Sequence, residues 1–183
     1  MARKATKEYR WSAWHLFNAE VVNTSVPDQS GVYEVRTDCE FGRLKGSSLL
    51  VSIGSTVASL RKRLCEQRIG YPIRFQNRAE KWLTQAGHEL QFRYSTTYSG
   101  KEARYLEAIR LMEYENEHGE LPPGNEVLPL SVIRKHIQEK YGRLTEKTLR
   151  HLLEHYQSLD EVARVLDVPP KVVSNLMVYW GVR

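Results

Sequence analysis

Apolar and polar positions alternate over two short stretches early in the chain, Gly31 to Arg36 and Leu49 to Ile53. Both are rich in β-branched residues and bounded by Gly, Ser and Asp, which predicts the two strands of a hairpin. Within the second, a period of two sets Leu49, Val51 and Ile53 on one face and Leu50, Ser52 and Gly54 on the other. The period then changes. Val57, Leu60 and Leu64 recur at helical spacing behind a possible Ser55-Thr56 N-cap, predicting an amphipathic helix from Thr56 to about Ile69. Arg63 falls on the border of its apolar stripe, where the stem can pack while the guanidinium reaches an adjacent cleft. Asn77 to Gly87 reads as a second helix closed by glycine, and Glu89 to Ser95 as a third strand. From Lys101 to Glu117 few polar directions remain, so this helix is expected to be largely buried. Glu107 sits on its wheel between Ala103 and Leu111, in partly apolar surroundings where an unpaired charge is expensive. Two compensations are open: an internal ion pair with Arg104 or Arg110, three residues to either side, or a metal ion.

After a Gly- and Pro-rich loop from His118 to Pro129, Leu130 to Tyr156 reads as two helices around Tyr141-Gly142, with Thr145 capping the second. From Ser158 onward, Val162, Leu166, Val168, Val173 and Leu176 supply the apolar positions of two short helices, and the small Ala163 lets them approach closely. This stretch resembles the helix-turn-helix of many DNA-binding proteins, with Asp167 where glycine is usual at the turn. The resemblance implies that a helix from about Pro170 to Tyr179 enters the major groove, presenting Lys171, Ser174 and Asn175 to phosphates and base edges. The competing reading is a plain three-helix bundle used for packing or dimerisation.

Charge sharpens this picture. The chain has 183 residues and a formal net charge of +5. Between Arg61 and Lys81 seven cations face two anions, so the excess of this one segment equals that of the whole chain. Such a stretch suits a polyanionic partner, with Arg61, Lys62 and Arg68 as candidate phosphate contacts. From Pro129 to the end, nine cations stand against six anions, compatible with phosphate contact. The apolar runs are too short to span a bilayer, and the basic start lacks the apolar core of a secretory signal. Two cysteines, Cys39 and Cys65, form no metal-ligand spacing or disulfide framework. A cytoplasmic protein without a membrane segment is therefore expected. His151 and His155 lack a third zinc ligand and read as a solvated face, and helical context predicts packing roles for Trp82 and Trp180.

Taken together, Gly31-Val32-Tyr33, Ser52-Ile53-Gly54, Arg63, Glu107 and Asn125 resemble, in order and strand–loop–strand–helix context, the motifs of the GIY-YIG nuclease family, over about Val26 to Asn125. The fold class so implied is α+β: a small three-stranded antiparallel sheet flanked by helices, followed by an all-α helix-turn-helix domain. The expected division is an N-terminal extension over 1–25, a nuclease-like domain over 26–127 and a DNA-binding domain over 128–183. The implied activity is metal-dependent hydrolysis of DNA, with Tyr33, Arg63, Glu107, Ser52 and Asn125 as site residues. Each fits a physical need. Glu107 would hold a hard cation, Mg²⁺ or Mn²⁺, together with waters and substrate phosphate. Arg63 offers a planar, permanently charged fork to the phosphate. Tyr33 would orient or deprotonate the attacking water, which requires nearby cations to lower its ordinary pKa of about 10. Asn125 would organise the metal site or its loop through the amide. The chain departs from the family pattern at Ser52, where a tyrosine is usual; proton transfer then rests on Tyr33 alone or on a water relay through Ser52. Ser55 stands where some members carry lysine, Gln67 where His or Tyr is frequent, and the interval from Glu107 to Asn125 is long.

Overall fold

The computed structural model describes residues 9–68, 78–129, 131, 132, 135, 138, 145–156, 158–168 and 170–182. Four strands form one antiparallel sheet, β1 (His15–Leu16), β2 (Gly31–Gly42), β3 (Ser47–Thr56) and β4 (Leu90–Thr96), in the order β1-β4-β2-β3. Among the described residues seven helices accompany it: α1 (Ala19–Ser25), α2 (Leu60–Arg68), α3 (Arg78–Gln85), α4 (Gly100–His118), α5 (Glu146–His155), α6 (Leu159–Leu166) and α7 (Pro170–Trp180); most of the helix expected from Leu130 lies outside them. The class is α+β, as expected. The sheet has a fourth strand that the periodicity does not announce, because two residues, His15 and Leu16, suffice to pair with Phe92 and Gln91 of β4. Within residues 9–25, Phe17 and Val22 are buried in the same core as Tyr33, Leu60 and Phe92.

The hairpin β2–β3 is longer than its alternating runs, and its register slips by one residue between the pairs Val35–Ser52 and Arg36–Leu50. The extra residue is Val51. A bulge reverses the inside-outside alternation, so Val51 packs with Tyr33 and Val35 while Ile53 packs with Val32 against α4. The expected common face of Val51 and Ile53 is thereby broken. Strand β3 runs through Thr56, and α2 starts later than expected, with Ser59 rather than Ser55-Thr56 accepting the Lys62 N–H at 3.0 Å. Helix α4 is fixed at both ends. Ser99 accepts the Glu102 N–H, Glu102 accepts the Tyr98 N–H at 2.8 Å, and Gly119 closes the C-terminus at φ +79°.

Helices α5, α6 and α7 pack against α4. Ala108 and Met112 of α4 share a buried cluster with Leu149, Val162, Ala163, Leu166, Val173 and Leu176. The Tyr105 hydroxyl also donates to the Asp167 carbonyl at 3.1 Å. Asp167 adopts the left-handed conformation, φ +49°, that a short polar side chain tolerates at such a turn. Among the described residues no helix is long and apolar enough to cross a membrane.

Candidate active site

Tyr33 enters β2 opposite Gly54 of β3, and the missing side chain at Gly54 decides where its phenol goes. A Cβ at Gly54 would lie 2.5 Å from Tyr33 Oη and 2.6 Å from Cζ, so the ring lies directly over that glycine. Tyr33 is 3% exposed. From α2, the guanidinium of the exposed Arg63 lies beside the Tyr33 hydroxyl. Its pKa is held above the ordinary value first by Tyr33, against burial, with Glu66 and Glu107 adding to the attraction. Glu107, on the sheet-facing side of α4, accepts a hydrogen bond from Ser55 Oγ at 2.6 Å. Burial pushes its pKa up, while the Ser55 hydroxyl and then the charges of Arg63 and Arg104 offset part of the rise.

Phenol and carboxylate, from two separate elements, thus each act on the guanidinium of Arg63, carried by a third. The internal ion pair considered for Glu107 does not form. Arg110 reaches instead across to Glu34, 2.8 Å away, and Arg104 acts on Glu107 only at longer range. Among the described residues Glu107 has no cation at ion-pair distance. A half-buried carboxylate engaged by a single hydroxyl is a fitting donor for a hard cation, which seldom needs a full protein cage. Here the residue that holds the metal would be Glu107.

The other expected site residues are placed differently. Ser52 is 4% exposed and donates to Glu80 Oε1 at 2.5 Å, and Glu80 is itself buried on α3. This bond commits the hydroxyl inward. Asn125 uses both halves of its amide on one residue: Ile53 N–H donates to Oδ1 at 2.9 Å and Nδ2 donates to the Ile53 carbonyl at 2.8 Å. With the Gly124 N–H bonded to the Val51 carbonyl at 2.8 Å, the loop is laced to the free edge of β3. Asn125 therefore positions the strand that carries Gly54 and Ser55.

Of the expected DNA contacts, Arg61 is exposed but ties Nε to the Val26 carbonyl at 2.8 Å, and Lys62 faces solvent with Glu66 3.8 Å away. Lys171 and Ser174 are half-buried on α7, whose Val172, Val173 and Leu176 are buried. The side chains of Arg68, Gln67 and Asn175 lie outside the described residues. Trp82 is 65% exposed, against the packing role expected of it. Two residues escape the sequence reading. Glu80 carries no local mark of burial, and Ser55, which counts as a departure from the family pattern, is the partner of Glu107. No family model matches the chain, and no curated protein or solved structure is found to be similar to it.

Proposed function

We propose that this chain is a metal-dependent DNA endonuclease of the GIY-YIG type, with α6 and α7 acting as a helix-turn-helix that locates the target. The observation that carries the reading is the meeting of Tyr33, Arg63 and Glu107, far apart in sequence, around a single guanidinium. A phosphodiester placed against Arg63 would find a fixed fork of N–H donors for the charge that grows on its nonbridging oxygens. The Tyr33 oxygen, beside that same guanidinium, would orient a water for in-line attack and take part in moving its proton. Bound at Glu107, Mg²⁺ or Mn²⁺ would supply Lewis acidity for the leaving oxygen. The exposed cations of α2, Arg61 and Lys62, lie beside Arg63 and suit the flanking backbone.

Supercoiled plasmid incubated with the full chain and Mg²⁺ should be nicked, and both Glu107→Gln and Tyr33→Phe should abolish nicking while leaving the fold intact. Nicking by both variants at the wild-type rate would overturn the proposal. One observation favours a second reading, a nonenzymatic DNA-binding protein on a degenerate nuclease fold: Ser52, in the place of the family's second tyrosine, spends its hydroxyl on Glu80. That reading expects duplex binding without nicking, unchanged by EDTA.

A further inference from the structure

Five residues beyond Tyr33, about 17 Å along an extended strand, β2 brings Asp38 and Cys39 beside His88, the second residue before β4. Neighbouring residues of a regular strand point to opposite faces. Here the last pairing of β2 with β4 is at Thr37, and no pairing with β3 is present between Arg36 and Phe41. Beyond that pair the Asp38 N–H still bonds the Glu89 carbonyl at 3.2 Å, and at this frayed end of the ladder both side chains reach the same imidazole. His88 is fixed by the turn that ends α3, where Gly87 at φ +89° is followed by a 3.0 Å bond from the His88 N–H to the Leu83 carbonyl.

The ring divides its two nitrogens between the two neighbours. Nδ1 lies 3.1 Å from Asp38 Oδ1, and Nε2 lies 3.7 Å from Cys39 Sγ. The carboxylate is itself steered by Thr37 Oγ1 at 3.1 Å. With zinc–sulfur near 2.3 Å, zinc–nitrogen near 2.0–2.1 Å and a tetrahedral angle, two donors sharing one zinc stand roughly 3.6 Å apart. The sulfur–nitrogen separation matches that edge. A carboxylate on the far nitrogen is the usual device that fixes the tautomer leaving Nε2 free to ligate.

We infer that Asp38, Cys39 and His88 form a binding site for a borderline-soft divalent cation, Zn²⁺ rather than Mg²⁺. Cys39 Sγ and His88 Nε2 are its protein ligands, and Asp38 orients the imidazole through Nδ1–H. Thiolate with imidazole selects zinc over the hard cations that suit a lone carboxylate. Water fills the remaining positions, since the side chains of His88 and Asp38 are 33% and 49% exposed. On binding, the Cys39 thiol gives its proton to solvent as the sulfur–zinc bond forms. The site would staple the end of β2 to the α3–β4 turn, and it stands independently of the nuclease reading.

The test uses the full chain stripped with EDTA and the metals alone. One equivalent of Co²⁺ should produce a thiolate-to-cobalt charge-transfer band that Zn²⁺ removes and Mg²⁺ does not. Zn²⁺ should protect Cys39, but not Cys65, from iodoacetamide, as read by peptide mass spectrometry. Cys39→Ser and His88→Ala should each lose the band, Asp38→Asn should weaken binding about 10–100-fold, and Cys65→Ser should keep it. Saturation with no thiolate band, equal alkylation of Cys39 with and without zinc, or undiminished binding by Cys39→Ser would overturn the inference.

Discussion

Two glutamates pack between the sheet and α4, and the structure treats them in opposite ways. Glu34, on β2, is 0% exposed and closed on every side: Arg93 Nε lies 2.7 Å from one oxygen and Arg110 Nε 2.8 Å from the other. Trp11 and Trp14 lie against the guanidinium of Arg93 at 4.7 Å each, and Arg110 also bonds Glu113. Burial works against the charge on Arg110, but Glu34 and Glu113 outweigh it and hold its pKa above the ordinary value. Glu107, one turn earlier on α4 than Arg110, is left with a hydroxyl and more distant cations, and its pKa is pushed up. A buried acid whose charge is fully matched is part of the scaffold. One left under-compensated beside an exposed arginine is free to take a ligand, and that contrast marks the site more sharply than burial alone.

The contrast is broken most directly at Glu34. Replacing it with alanine strips a partly buried Arg93 of its counter-ion and leaves Arg110 with Glu113 alone, a loss of about 3–5 kcal/mol. Urea denaturation should show this loss for Glu34→Ala and no comparable loss for Glu107→Gln. Equal destabilisation would make both acids scaffold. Next in size is Arg63→Ala, expected to lower the nicking rate roughly 10²–10³-fold with little change in stability, since the side chain is exposed. Arg63→Lys should recover only part of that rate, because an ammonium cannot serve the phenol and a phosphate with one planar fork.

A smaller effect sharpens the comparison from the strand side. A Cβ at Gly54 would lie within 2.6 Å of both Tyr33 Oη and Cζ. Gly54→Ala should therefore cost about 1–3 kcal/mol through overpacking and displace the phenol. Chemical denaturation reads the first effect and nicking the second. Wild-type nicking by this variant would detach Tyr33 from the reaction.

Much of this arrangement was legible from residue order. The tripeptides Gly31-Val32-Tyr33 and Ser52-Ile53-Gly54 fall on paired strands, Arg63 on the following helix and Glu107 on the long buried one, because turn chemistry and hydrophobic period are local properties. What escaped is non-local. Arg110 stands as close to Glu107 in sequence as any partner could, yet tertiary packing gives it to Glu34 on β2. The bulge at Val51 has no signature among β-branched residues, and it undoes the alternation on either side of Ser52. The two-residue strand β1 is too short for any period to show. Beyond the Gly- and Pro-rich stretch from His118 to Pro129, the C-terminal helices pack on Ala108 and Met112 of α4, in a cluster of their own.

The finest test of the contrast is the pH dependence of stability. Glu107 holds its proton more tightly in the folded protein than at its ordinary pKa of 4.5, because burial disfavours the anion. As pH rises from that value through the folded pKa, the unfolded chain releases its proton first, so ionisation of Glu107 subtracts from stability. Glutamine mimics the protonated acid. In metal-free buffer Glu107→Gln should thus melt slightly above the wild type at pH 7 to 8, with the two curves converging toward pH 4. Adding Mg²⁺ should raise the melting temperature of the wild type and leave Glu107→Gln unmoved, since a cation that binds only the folded carboxylate stabilises by mass action. If the variant melts below the wild type at neutral pH without metal, Glu107 is as well compensated as Glu34, and the distinction between scaffold acid and site acid fails.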